Sequence, residues 1–302
     1  MDKKDSGVSV VIIFIMVLAV LAVVVAVWAL LGVPGQINEM NYQHSYKVEN
    51  KFGDYQAVLH SIYLSDYNTK RKEGYTRPGS VTYSNIIPVG RPGQTATLEL
   101  KQDVARFYGT DGDIKTYTVI GTDAKKIRID RLSVQSAHDC EIGLEGGGVF
   151  RRDRDSAFWI IRPLISSYET DSTYNDIIMS QYDDLCSVCV TTNGDVSLST
   201  WYEDEYDQLW YGLTFYSPEK WEAELWYDYF YEMQQVNLVL NEQGLKGPLS
   251  IISLGTITEV PGGPGSFYRD AEVTGGWYFD FFIDDSITSP LYGVKQTQSS
   301  LS

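Results

Sequence analysis

Cys186-Ser187-Val188-Cys189 is the one pair of nucleophilic side chains at a spacing that chemistry uses. Two thiols three residues apart can exchange a disulfide or hold one metal ion between them. Zinc needs two further ligands, and the chain offers Cys140 and three histidines, His44, His60 and His138. His138 and Cys140 would share a face of a strand, so one reading is a site of His138, Cys140, Cys186 and Cys189. Redox exchange would want a βαβ frame, whereas DDLCSVCVTTNG reads as strand and turn. The third reading, which the odd cysteine count favours, is a disulfide from Cys140 to one member of the pair, leaving one buried thiol.

Other reactive constellations are missing. The sequence has no G-x-S-x-G elbow, P-loop, H-E-x-x-H or dinucleotide fingerprint. His44 and His60 lie sixteen residues apart, too far to act together. Glu203-Asp204-Glu205 and Asp183-Asp184 are contiguous acids, the pattern of a solvated edge. Asp111-Gly112-Asp113, Asp153-Arg154-Asp155 and Asp284-Asp285 lack the spacing of a calcium loop. The expectation is no enzyme, no cofactor and no bound metal. Thirteen aromatic residues between 201 and 231 alternate with acids. Most have a place in a core, while Trp201, Tyr202, Tyr206 and Tyr211 are the candidates for an exposed surface that captures glycans or proteins.

Those residues need elements to hold them and a place to stand. The chain carries 24 basic and 40 acidic residues over 302 positions, a net charge of −16, which repels nucleic acid. Residues 10 to 31 are twenty-two consecutive apolar residues. At about 1.5 Å per residue such a helix reaches roughly 33 Å, the thickness of a bilayer core. The expectation is a retained single-pass transmembrane helix over 8–33, with the lipid bilayer as partner. Lys3 and Lys4 before it, and no basic residue after it until Lys47, place the N-terminus inside and the head outside the cell membrane.

From Gln36 to about Ser65, Val48, Phe52, Tyr55, Leu59 and Ile62 recur at spacings of 4, 3, 4 and 3. This is an amphipathic helix over 34–65, its stripe packing on its own head or against other copies. Beyond it, Thr95–Leu100, Thr116–Ile120, Lys126–Val134 and Val196–Thr200 read as strands, with turns at Asp111-Gly112, Gly146-Gly147-Gly148 and Asn193-Gly194. Ser217-Pro218 starts a helix whose Trp221, Leu225, Tyr229 and Met233 share a face to about Gln234. Residues 235–240 and 249–260 then read as a hairpin, 277–283 as a last strand and 296–302 as a frayed tail.

Gly7-Val8-Ser9-Val10-Val11-Ile12, ahead of the apolar helix, resembles the processing region of archaeal type IV pilin-like precursors. The anchor, the amphipathic continuation and a β-rich head follow the plan of that family, and the Trp-Glu helix with its hairpin is similar to the end of its large secreted members. The resemblance implies a 1–7 leader cut between Gly7 and Val8, a pilin-like head over 66–295, and a structural or adhesive role among other pilin-like subunits. The fold expected is mainly β: an antiparallel β-sandwich head, with one short inserted helix and an N-terminal transmembrane and amphipathic helix.

Overall fold

The computed structural model describes residues 5–28, 33–73, 82–109, 125–136, 140–154, 156–163, 165–169, 173–183, 186–243 and 251–299; side chains are described from Ile12 onward and not at 66–73, 125, 165–178, 203–211, 252, 283–291 or 298–299. It divides into two units, 1–47 and 48–302. The first contains α1 (Asp5–Val27) and the beginning of α2 (Val33–Glu73). Every side chain described from Ile12 to Trp28 is exposed. Gly7 and Val8 fall in the first turns of α1, and Pro34 in the first turn of α2, where a missing amide costs nothing.

The membrane expectation is corrected here. Among the described residues no helix is long and apolar enough to cross a membrane. The single-pass topology over 8–33, and the placement inside and outside a cell membrane that followed from it, are not supported.

The second unit is mainly β. Its strands are β1 (Tyr83–Pro88), β2 (Ala96–Gly109), β3 (Lys125–Ser136), β4 (Cys140–Glu145), β5 (Gly148–Asp153), β6 (Ser156–Ile161), β7 (Ile165–Glu169), β8 (Thr173–Ile178), β9 (Gln181–Tyr182), β10 (Cys189–Thr192) and β11 (Asp195–Ser217). After α3 (Lys220–Glu242) come β12 (Ile251–Leu254), β13 (Thr258–Glu259) and β14 (Trp277–Ser299). They belong to one sheet in the order β6-β5-β4-β3-β2-β11-β14-β8-β7, with β1, β9, β10, β12 and β13 paired beside it. Pairing is antiparallel except where β8 and β9 run parallel to β14. The expected sandwich is therefore corrected to a single sheet with helices on its faces.

Side-chain alternation explains that arrangement. Leu132 and Val134 on β3 face the same way as Leu98 and Leu100, their partners on β2, and pack with Val48, Phe52, Tyr55, Leu59 and Ile62 of α2. Ile127, Ile129 and Arg131 point to the other face, where Phe107, Phe215, Phe279 and Phe281 meet Trp226 and Phe230 of α3. The two helices thus cover opposite faces, and the stripe of α2 packs on its own head. Between these regions β2 carries a bulge, where Lys101 pairs with Arg131 and Ala105 with Ile129. Asp103 takes a left-handed φ of 58° there, and its amide donates to Asp130 Oδ1 at 2.8 Å.

Two further expectations change. The segment 235–240 continues α3 instead of entering a hairpin, and β12 and β13 pair with β14. Residues 296–299 extend β14 against β11 rather than fray. Asn193-Gly194 is, as expected, a bend between two strands, β10 and β11, of which β10 pairs with β2 and the start of β11 with β1. The expected strand 116–120 and the turn at 111–112 lie outside the described residues.

Candidate functional site

The densest chemistry sits where α3 begins, and the sequence reading missed it. Ser217 closes β11 and accepts from the Glu219 amide at 2.9 Å, which helps fix the approach to α3. Helical spacing then turns Trp221, Glu222, Leu225 and Trp226 toward the sheet. Opposite them, Arg131 of β3 reaches two carboxyls at once. Its Nε donates to Glu145 Oε2 at 2.7 Å and its Nη2 to Glu222 Oε1 at 2.5 Å. Glu141 stands 3.6 Å from Nη1 and accepts from Ser133 at 2.8 Å. Trp226 Nε1 donates to Glu145 Oε1 at 2.7 Å, and Ser217 Oγ to Glu222 Oε2 at 2.5 Å. Two guanidinium groups lie over the Trp221 ring, that of Arg131 at 4.6 Å and that of Arg152 at 4.7 Å.

Charge decides the protonation state. Three carboxyls surround one enclosed guanidinium, and the second cation, Arg152, is a third exposed and 3.5 Å from Glu141. Leaving a net negative charge in so dry a place costs several kcal/mol. Keeping a proton on an ordinary carboxyl at pH 7 costs about 3.5 kcal/mol. Burial, and then the neighbouring Glu145, push Glu222 well above the usual carboxylate range. The side chains of Glu145 and Glu222 have no solvent exposure, so no substrate reaches them as they stand. What this arrangement can do is clamp a helix and store a proton.

Of the residues expected from sequence to do chemistry, Cys140 and Cys186 belong to one core cluster. None of the three cysteines is in a disulfide. Cys140 is buried at the start of β4, where burial and Asp153 push its thiol up to about 12. Cys186 accepts from the Val294 amide at 3.1 Å, and Cys189 is exposed on β10. His138 lies outside the described residues, and among those residues no cluster of His, Cys, Asp or Glu fits a metal. Of the proposed aromatic surface, Tyr202 is buried against Tyr292, 6.1 Å between ring centres, and so is corrected to a core residue. Trp201 is half-buried, and the side chains of Tyr206 and Tyr211 lie outside the described residues.

Arg131, Glu141, Glu145 and Glu222 escaped notice because no local spacing links them. A usable signal was present: each is a charged residue among apolar neighbours, in strands or beside Trp221. Compared with protein-family models, with curated proteins and with solved structures, the chain matches none.

Proposed function

We propose that this protein is a non-catalytic structural or adhesive subunit, pilin-like in plan, whose apolar helix α1 is covered by the same helix of other copies. The observation that supports this is the uniform exposure of apolar side chains from Ile12 to Trp28. A helical cylinder about 10 Å across and about 25 Å long presents roughly 800 Å². Monomeric soluble proteins rarely expose more than a few hundred Å² of contiguous apolar surface. A two-helix seam would cover one stripe only, and α1 has no polar face to leave outside, so several copies are required. The head contributes a rigid displayed body, its charged cluster closed to substrates.

Sedimentation and electron microscopy of the full chain in amphiphile-free buffer test this reading. The wild-type chain is expected to form large assemblies. Leu18→Glu with Leu21→Glu should return it to a monomer with an unchanged circular-dichroism spectrum. A monodisperse wild-type monomer, or uptake into lipid vesicles without self-association, would refute the proposal.

A further inference from the structure

We propose that the head contains a proton-operated latch, in which the carboxyl of Glu222 docks the first turns of α3 onto β3 and β4 only while protonated, and its ionisation releases that end of the helix. This inference is independent of how the chain assembles. The groups facing Glu222 come from every element packed on it: Arg131 from β3, Glu141 and Glu145 from β4, Arg152 from β5 through Glu141, and Ser217 from β11. On α3 itself, Lys220 is paired with Glu224 at the surface, 3.1 Å apart, and does not enter the cluster.

The geometry makes the proton decisive. Arg131 is shared by Glu145 and Glu222 through different nitrogens, so one cation already serves two carboxyls before Glu141 is counted. With Glu222 neutral, the remaining two carboxyls are matched by Arg131 and Arg152. With Glu222 ionised, an unmatched charge sits beside Glu145, where water does not reach. The start of a helix favours an anion, and the Ser217 hydroxyl does too, but both are weak against an enclosed like charge. The side that yields is α3, since Glu145 is also held by Trp226 and belongs to a strand paired on both edges. Release would uncover Trp221 and Leu225, which pack on Phe150.

Infrared spectroscopy of the full chain reads the proton directly. A protonated-carboxylic-acid carbonyl band is expected in the wild type at neutral pH, lost on alkalinisation together with a change in tryptophan emission. Glu222→Gln, a neutral side chain of the same shape, should fold, lack that band and show no alkaline emission change. In Glu145→Gln the band should vanish at a lower pH than in the wild type. Absence of the band in the wild type, its persistence in Glu222→Gln, its indifference to Glu145→Gln, or failure of Glu222→Gln to fold at neutral pH would each overturn the latch.

Discussion

Trp201 lies flat over Gly293, its directly opposed partner on β14, so closely that a Cβ on the glycine would stand 2.0 Å from Cε2 of the indole. The glycine is there because the ring occupies the space a side chain would need. The same device recurs at Gly146, where φ is +51° and Trp226 Cζ2 is 2.6 Å from the would-be Cβ. Gly293→Ala should therefore lower stability by about 2 kcal/mol, in the range of overpacked sites. Chemical denaturation measures it. Because Trp201 is half-buried, its removal should relieve the clash: in a Trp201→Ala background the same change should cost less than half as much. Additive losses would mean that the two residues do not collide.

Tyr55 of α2 and Thr200 of β11 share a buried hydrogen bond of 2.8 Å, one of the polar ties between the helix and that face of the sheet. Burial pushes the Tyr55 phenol well above its usual range, so it stays neutral at any pH the fold survives. Tyr55→Phe keeps the ring and orphans one hydroxyl, for a loss of about 1–2 kcal/mol. Phe52→Ala, on the same stripe and fully buried, should cost about 3–5 kcal/mol. If the tyrosine change proved the costlier of the two, packing would not be what holds α2 in place.

What was legible in the sequence was local. The stripe from Val48 to Ile62 is written in helical spacing, and each of its residues is buried. The buried face of Trp221, Leu225 and Tyr229 on α3 was legible for the same reason, although the helix starts at Lys220 with Glu219 as its N-cap rather than at Ser217-Pro218. Tyr202 could have been placed correctly: Val196, Leu198 and Thr200 alternate with it and all face inward, so period two already assigned it to the core. The single sheet was not legible, because β11 pairs with β1, β2 and β14, with partners as far apart as Tyr83 and Thr200, 117 positions, and no local spacing encodes those partners. The cluster around Arg131 depends on that register, since Glu222 is 91 residues from it.

Acid should loosen the segment between β13 and β14 that carries Asp270. Asp270 is largely enclosed, and burial alone would raise its pKa. The Glu272 amide, the Tyr108 hydroxyl and Lys126 outweigh burial and hold it below the ordinary aspartate range. A carboxyl depressed in the folded state adds stability above its unfolded pKa of about 4, and that stability is lost as pH falls through the folded value. Asp153, drawn down by Arg151 and Cys140 against the cost of its burial, acts in the same window. In Asp270→Asn the melting temperature should be lower at pH 7 and should fall less than that of the wild type between about pH 5 and pH 2. Parallel wild-type and variant curves would remove Asp270 from the acid response.

The far end of α3 offers the sharpest contrast between local preference and tertiary fold. Gln235–Leu240 reads QVNLVL, rich in strand formers, yet it is helical to Glu242. Only Asn237 of its second half is buried, while Val236, Leu238 and Val239 are exposed. The first half supplies the anchor: Trp226, Tyr229 and Phe230 are buried on the sheet, and helix propagation from an anchored turn costs little per residue. Gln235→Pro should therefore cost about 3 kcal/mol, through a lost amide and a clash with the preceding turn, whereas a strand edge would tolerate it. Leu238→Lys, on the solvent side, should change stability by less than about 0.5 kcal/mol. A proline tolerated at 235 together with a lysine that destabilises at 238 would assign this segment to a sheet instead, and calorimetry on the two single variants separates the outcomes.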